Sequence, residues 1–214
     1  MSDPLEALTR ALHKEQSDID ALTEMATGDS EAVKLLIDGL TFPVETYRYN
    51  CNRVIVKAAE RAPQDVYPYW DRLVELLESS NTYHRCSAIN VLPHLIPADR
   101  ESRFDGVLDK LFRRLDDESV IPPCYVARNC PIIVSHRPDL LPRIVTELLS
   151  IDATHHKTER KDLIKADIIL ALAQLYDRVE NRSEVLRFVE AQLNCSSPKT
   201  RKAAKAFLQK HGAP

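Results

Sequence analysis

Two adjacent histidines, His155 and His156, lie in the polar stretch Asp152-Ala153-Thr154-His155-His156-Lys157 and are the first place to look for metal chemistry, with His136 and Asp139 elsewhere on the chain. Imidazole nitrogens bind zinc-class ions, but a site needs three or four ligands at fixed geometry, and no HxxxH or HExxH occurs. The stretch reads as a solvated loop, and no metal is expected. Asp116-Asp117 could act as paired carboxylates in acid/base work; near a helix end they read instead as capping or solvated groups. Cys51, Cys86, Cys124, Cys130 and Cys195 form no CxxC pair. A nucleophilic thiol needs an electropositive, exposed setting, and Cys51, Cys124 and Cys130 have apolar neighbours, so the cysteines read as reduced core thiols. Neither GxSxG nor SxxK nor a Gly-rich phosphate loop appears. No catalytic residue and no cofactor is expected.

The elements that would position any site are helices. Only 4 of 214 residues are Gly, against 13 Pro, too few for the positive-φ turns of strand-rich or dinucleotide-binding folds. Apolar residues recur at helical spacing, as in Val33, Leu36, Ile37, Leu40 and in Leu141, Ile144, Val145, Leu148, Leu149. Helix-start chemistry separates the runs: Asp29-Ser30, Pro43, Pro63, Asn81-Thr82, Pro122-Pro123, Ser197-Pro198. The pattern predicts an all-α chain of about twelve helices, at 3–14, 17–27, 30–41, 44–62, 64–79, 81–96, 99–116, 122–136, 139–151, 158–178, 182–194 and 198–211. Pro93 and Pro131 fall inside two of these, where a missing N–H and a crowded turn predict kinks.

Every second helix from the second pair onward carries one skeleton. Its rows are Tyr47-Arg48-Cys51-Ile55, His84-Arg85-Ala88-Leu92, Val126-Ala127-Cys130-Val134, Ile164-Lys165-Ile168-Leu172 and Thr200-Arg201-Ala204-Leu208. The third members step by 37, 42, 38 and 36 residues, a period suited to stacked helix pairs. The apolar-Arg-x-x-Ala-x-x-x-Leu pattern resembles the HEAT repeat family over most of the chain, most closely at Thr200–Leu208 and then at His84–Leu92. Ala127 departs from it, standing where the family usually has a cation. The resemblance implies a right-handed α-α superhelix, an α-solenoid of about six helical pairs. It would be a single repeat domain over 1–214, with a capping pair at 1–28 and repeats over 29–211.

Net charge is only −3, yet it is unevenly placed: first helices sum to −10 and second helices from the second pair onward to +11. The resemblance implies that second helices line a concave side, which would then be basic and suit an anionic partner. The repeat-position cations Arg48, Arg85, Lys165 and Arg201 either bond between repeats or contact a ligand. Residues two places from the small core residue lie roughly opposite it, which selects Tyr49, Arg53, Asn90, Arg128 and Lys202 as partner-facing. The same rule selects Ile132, Ala166 and Leu170, either enclosed or forming an apolar contact strip.

These features point to a non-enzymatic scaffold or adaptor binding an acidic protein partner. The alternative is nucleic-acid binding through the basic second helices, especially Lys199, Arg201, Lys202, Lys205 and Lys210. The bacterial DNA-alkylation-repair glycosylases look alike in fold and groove, but they are associated with Trp beside a catalytic Asp. Here Trp70, the one Trp, falls in a first helix, and Asp167 is the one acidic candidate placed on a central second helix. No apolar run approaches membrane-spanning length, and the start Met1-Ser2-Asp3-Pro4-Leu5-Glu6 has no basic or apolar signal character, so the cytoplasm is expected.

Overall fold

Short polar side chains open many of the helices. Asp18 accepts from the Ala21 N–H, Asp29 from Glu31 and Ala32, Asn81 from Tyr83, and Ser197 from Thr200 just before Pro198. Each satisfies an amide that has no partner within its own helix. The computed structural model describes residues 3–212. Among these it has helices and turns and no strand. The all-α expectation therefore holds.

The chain divides into two compact units, Met1–Asp105 and Gly106–Pro214. The first contains α1 (Pro4–Leu12) with α2 (Ile19–Ala26) and α3 (Ser30–Gly39) with α4 (Glu45–Arg61). Its third pair is α5 (Pro63–Val66) and α6 (Trp70–Leu76), joined by a 3-10 turn over Tyr67–Tyr69, with α7 (Thr82–Val91). The second unit pairs α8 (Asp105–Arg113) with α9 (Ile121–His136), α10 (Leu141–Leu149) with α11 (Thr158–Leu175), and α12 (Arg182–Glu190) with α13 (Pro198–His211). Second helices stack on second helices, α4 touching α2 and α7 in one unit and α11 touching α9 and α13 in the other.

The repeat skeleton is the core of this stacking. Cys51, Ala88, Cys130, Ile168 and Ala204 are all 0% exposed. At Gly39 a Cβ would overlap the Cys51 sulfur, so the lack of a side chain lets α3 approach α4 closely.

Three local expectations change. The helix predicted over 64–79 is broken by the 3-10 turn containing Pro68. The helix predicted from 99 starts at Asp105, because the Asp99 carboxylate accepts from the Arg103 and Phe104 amides (3.0 and 2.8 Å) and folds 99–104 into a turn. At Pro93 the α-helix gives way to a 3-10 segment, Leu92–Ala98, whereas α9 runs through Pro131 to His136.

Candidate functional site

The repeat-position cations close their own helix pairs. Arg48 Nη1 donates to the Phe42 carbonyl at 2.8 Å, Arg85 Nη1 to Ser79 at 2.7 Å, and Arg201 Nη1 to Cys195 and Ser196 at 2.7 and 3.0 Å. Each guanidinium reaches back six residues to carbonyls just past the first helix, which have lost their helical partners. Lys165, which has no fork, meets the Asp152 carboxylate at 2.8 Å in the corresponding turn. These hydrogen bonds and ion pairs lie within a pair, while Arg48 over the Tyr83 ring at 5.3 Å and Lys165 over the Phe188 ring at 6.0 Å also reach the following pair. Arg85 and Lys165 are buried; Arg48 and Arg201 remain half-exposed.

In the first unit, Tyr49 is 59% and Tyr83 51% exposed. Arg53 lies over the Tyr49 ring at 5.6 Å and Arg48 over the Tyr83 ring at 5.3 Å, so α4 and α7 present aromatic faces backed by guanidinium. Asn90 is half-buried. The positive charge at the end of α4 is neutralised by the second helix before it. Lys57 pairs with Asp20 at 2.6 Å, and Arg61 bridges Asp20 and Glu24. Trp70 is buried against Phe104 and Tyr67, which removes it as a stacking surface for a base.

In the second unit, one buried carboxylate joins three successive second helices. Asp167 on α11 accepts from Arg128 Nε of α9 at 2.9 Å and from Lys199 Nζ of α13 at 3.1 Å. Burial alone would raise the Asp167 pKa; the bonds from Arg128 and Lys199 outweigh it and hold the carboxyl below its ordinary range. Burial, with the Asp167 carboxylate beside it, pushes the Cys124 thiol up to about 12 and so favours its protonated form. Arg128 also lies over Tyr125 at 5.3 Å, so this partner-facing candidate is exposed but engaged. Lys202 and Lys205 of α13 are exposed and, among the described residues, make no ion pair. Of the apolar trio, Ala166 is enclosed, Ile132 half-buried and Leu170 exposed.

The His155-His156 stretch differs from a solvated loop. Asp116, in the 3-10 turn Arg114–Asp116, accepts from the His155 amide at 2.7 Å and from its Nδ1 at 2.6 Å. One donor atom from each of Asp116, His155 and His156 lies within 4.8 Å of the others. His156 is buried, and that burial pushes its pKa down against the pull of Asp116. The sequence signal for this cluster is the repeat period itself: Asp116 and His155 are 39 residues apart, so they occupy equivalent turns of neighbouring pairs.

Stacked helical pairs repeating every 36–42 residues around a shared core skeleton make this a helical repeat protein. Among solved structures the chain is similar to a crystallised engineered protein, at 20% identity with 98% of each chain covered and a TM-score of 0.52. That likeness shows the fold alone. The chain also aligns with a second engineered protein at 17% identity (99% of this chain, 98% of that one, TM-score 0.49). A designed armadillo repeat protein aligns at 16% (96% and 98%, TM-score 0.46). No protein-family model and no curated protein matches the sequence.

Proposed function

We propose that the protein is a non-enzymatic scaffold of HEAT type whose second helices bind an acidic protein partner. The observation that carries this reading is the pair of tyrosines on α4 and α7, each more than half exposed and each stacked with an arginine. Tyr and Arg are the residues that interfaces concentrate at their energetic centres, because they bring large contact area and charge at low entropic cost. An acidic partner would find Arg53 and Arg48 already oriented by the rings. The tying up of Lys57, Arg61, Arg128 and Lys199 by carboxylates favours protein over nucleic acid, since a phosphate backbone needs a continuous run of free cations. The reading places the protein in a reducing compartment such as the cytoplasm, in keeping with the thiols buried at Cys51 and Cys130.

The test is affinity capture with the wild-type protein beside Tyr49→Ala/Arg53→Glu and Lys202→Glu/Lys205→Glu variants, each checked for unchanged helicity. Loss of a captured protein in the first variant supports the reading; unchanged recovery in both removes it. Binding of duplex or single-stranded probes abolished by the lysine reversals would move the assignment to nucleic acid. In that case log K would fall with log salt by about 0.9 per duplex phosphate contact.

A further inference from the structure

The turn between α10 and α11 holds a nitrogen with no use in the fold. His156 is 6% exposed, and its Nε2 has no hydrogen-bond partner among the described residues. The ring does meet the Leu115 backbone, which leaves Nε2 as the unspent nitrogen. A buried polar atom without a partner costs about 1–3 kcal/mol, so one kept in place calls for an explanation. His156 offers one ring nitrogen within 4.8 Å of the Asp116 oxygen and the His155 ring nitrogen, which are already held together, and Asp116 is anchored by the His155 amide.

We propose that Asp116, His155 and His156 bind one divalent first-row transition ion of the zinc class. Two imidazoles and one carboxylate are borderline nitrogen and oxygen donors, the set that zinc, cobalt and nickel take, whereas calcium and magnesium require oxygen cages. Three protein ligands leave the fourth tetrahedral position to water. Ligands at about 2.0–2.1 Å from a tetrahedral ion lie roughly 3.3 Å from one another, so the 2.6 Å contact between Asp116 and His155 must open slightly while His156, within 4.8 Å of both, draws in. The half-exposed His155 ring supplies that movement, since only its contact with Asp116 and its stacking on His156 restrain it. His155 Nδ1 and Asp116 Oδ1 share a hydrogen bond of 2.6 Å. On binding, a proton shared there leaves to solvent, and the nitrogen and oxygen lone pairs go to the metal. The Leu115 contact orients His156, as outer partners of metal-bound histidines do. The ion would staple the turn of the fifth pair to the end of α8 in the fourth, which Asp116 and the Leu115 backbone now join. The inference is independent of the protein-binding reading.

Cobalt(II) is the probe, because its visible bands report the donor set. One equivalent added to the full-length protein should give intense d–d absorption without a thiolate charge-transfer band. Zinc should displace it and raise Tm, and magnesium and calcium should leave both signals unchanged. Affinity should reach about 10 µM or tighter and fall at least tenfold in His155→Gln, whose exposed position keeps the fold intact, and in His156→Gln. Three results overturn the proposal: no d–d absorption in the wild type, a thiolate band placing the metal on the cysteines, or undiminished binding in His155→Gln.

Discussion

Arg128 on α9 donates through Nε to the buried carboxylate of Asp167 on α11, and the 2.9 Å bond joins the second helices of two successive repeats. Because Lys199 of the next repeat reaches the same carboxylate, either cation can hold it alone. Arg128→Ala and Lys199→Ala should each cost about 1 kcal/mol, a single hydrogen bond to a partly exposed group. The double variant should cost about 3–5 kcal/mol, because it leaves a buried charge with neither cation. Urea unfolding of the four proteins checks this; additive losses would count against the shared carboxylate.

The same site makes a prediction about acid. A carboxyl depressed in the folded state contributes stability that is complete above its unfolded pKa and is lost as pH falls through its folded value. Burial raises the Asp167 pKa and the Arg128 and Lys199 bonds lower it further than that, so the loss falls below about pH 4. Stability measured from pH 7 to 2 should drop more steeply at the acid end in the wild type than in Asp167→Asn. Parallel curves would mean that Asp167 titrates alike in both states.

Architecture and recognition should separate between two kinds of arginine. Arg85→Ala leaves the Ser79 carbonyl without its guanidinium and should destabilise the fold by about 1–3 kcal/mol. Arg53→Ala removes only a surface cation–ring contact and should change stability by about 0.5 kcal/mol or less. Thermal melts of the two variants provide the comparison.

Thiol reactivity should follow burial. Burial pushes Cys51, Cys124 and Cys130 up to about 12, so at pH 8 these three should resist alkylation in the native protein and react on denaturation. Cys195, half-exposed, should react first. Mass spectrometry of a timed alkylation reads the order, and early modification of Cys130 would contradict the packed core.

Gly39→Ala is expected to destabilise although alanine is the better helix former by about 1 kcal/mol. Its Cβ would overlap the Cys51 sulfur, and overpacking costs about 1–3 kcal/mol. Combining it with Cys51→Ala should recover most of the loss. A stabilised single variant would show that α3 and α4 can separate freely.

Helix spacing, capping residues and the repeat phase were legible in the chain because each depends on neighbours a few residues away or on a regular recurrence. Cys51, Ala88, Cys130, Ile168 and Ala204 were found by phase alone and all lie in the core. Of the positions two places from the core residue, Tyr49, Arg53, Arg128, Lys202 and Leu170 are exposed, Asn90 and Ile132 are half-buried, and Ala166 is enclosed where α11 packs between α9 and α13. Net charge by helix gave the sign of the second helices but not its availability. Asp20 and Glu24 cancel the end of α4, and Asp167 is bonded to both Arg128 and Lys199.

The composition and periodicity of this chain determine that it is helical, paired and repetitive, since those properties need only local preference and a recurring apolar face. Tertiary structure alone decided which partners the polar residues take. Asp116 with His155, and Arg128 with Asp167, are each 39 residues apart and meet only because stacking brings equivalent positions of adjacent pairs side by side. A one-dimensional sequence records that offset, but stacking geometry and burial decide whether the atoms across it bond, repel or leave a nitrogen unmatched.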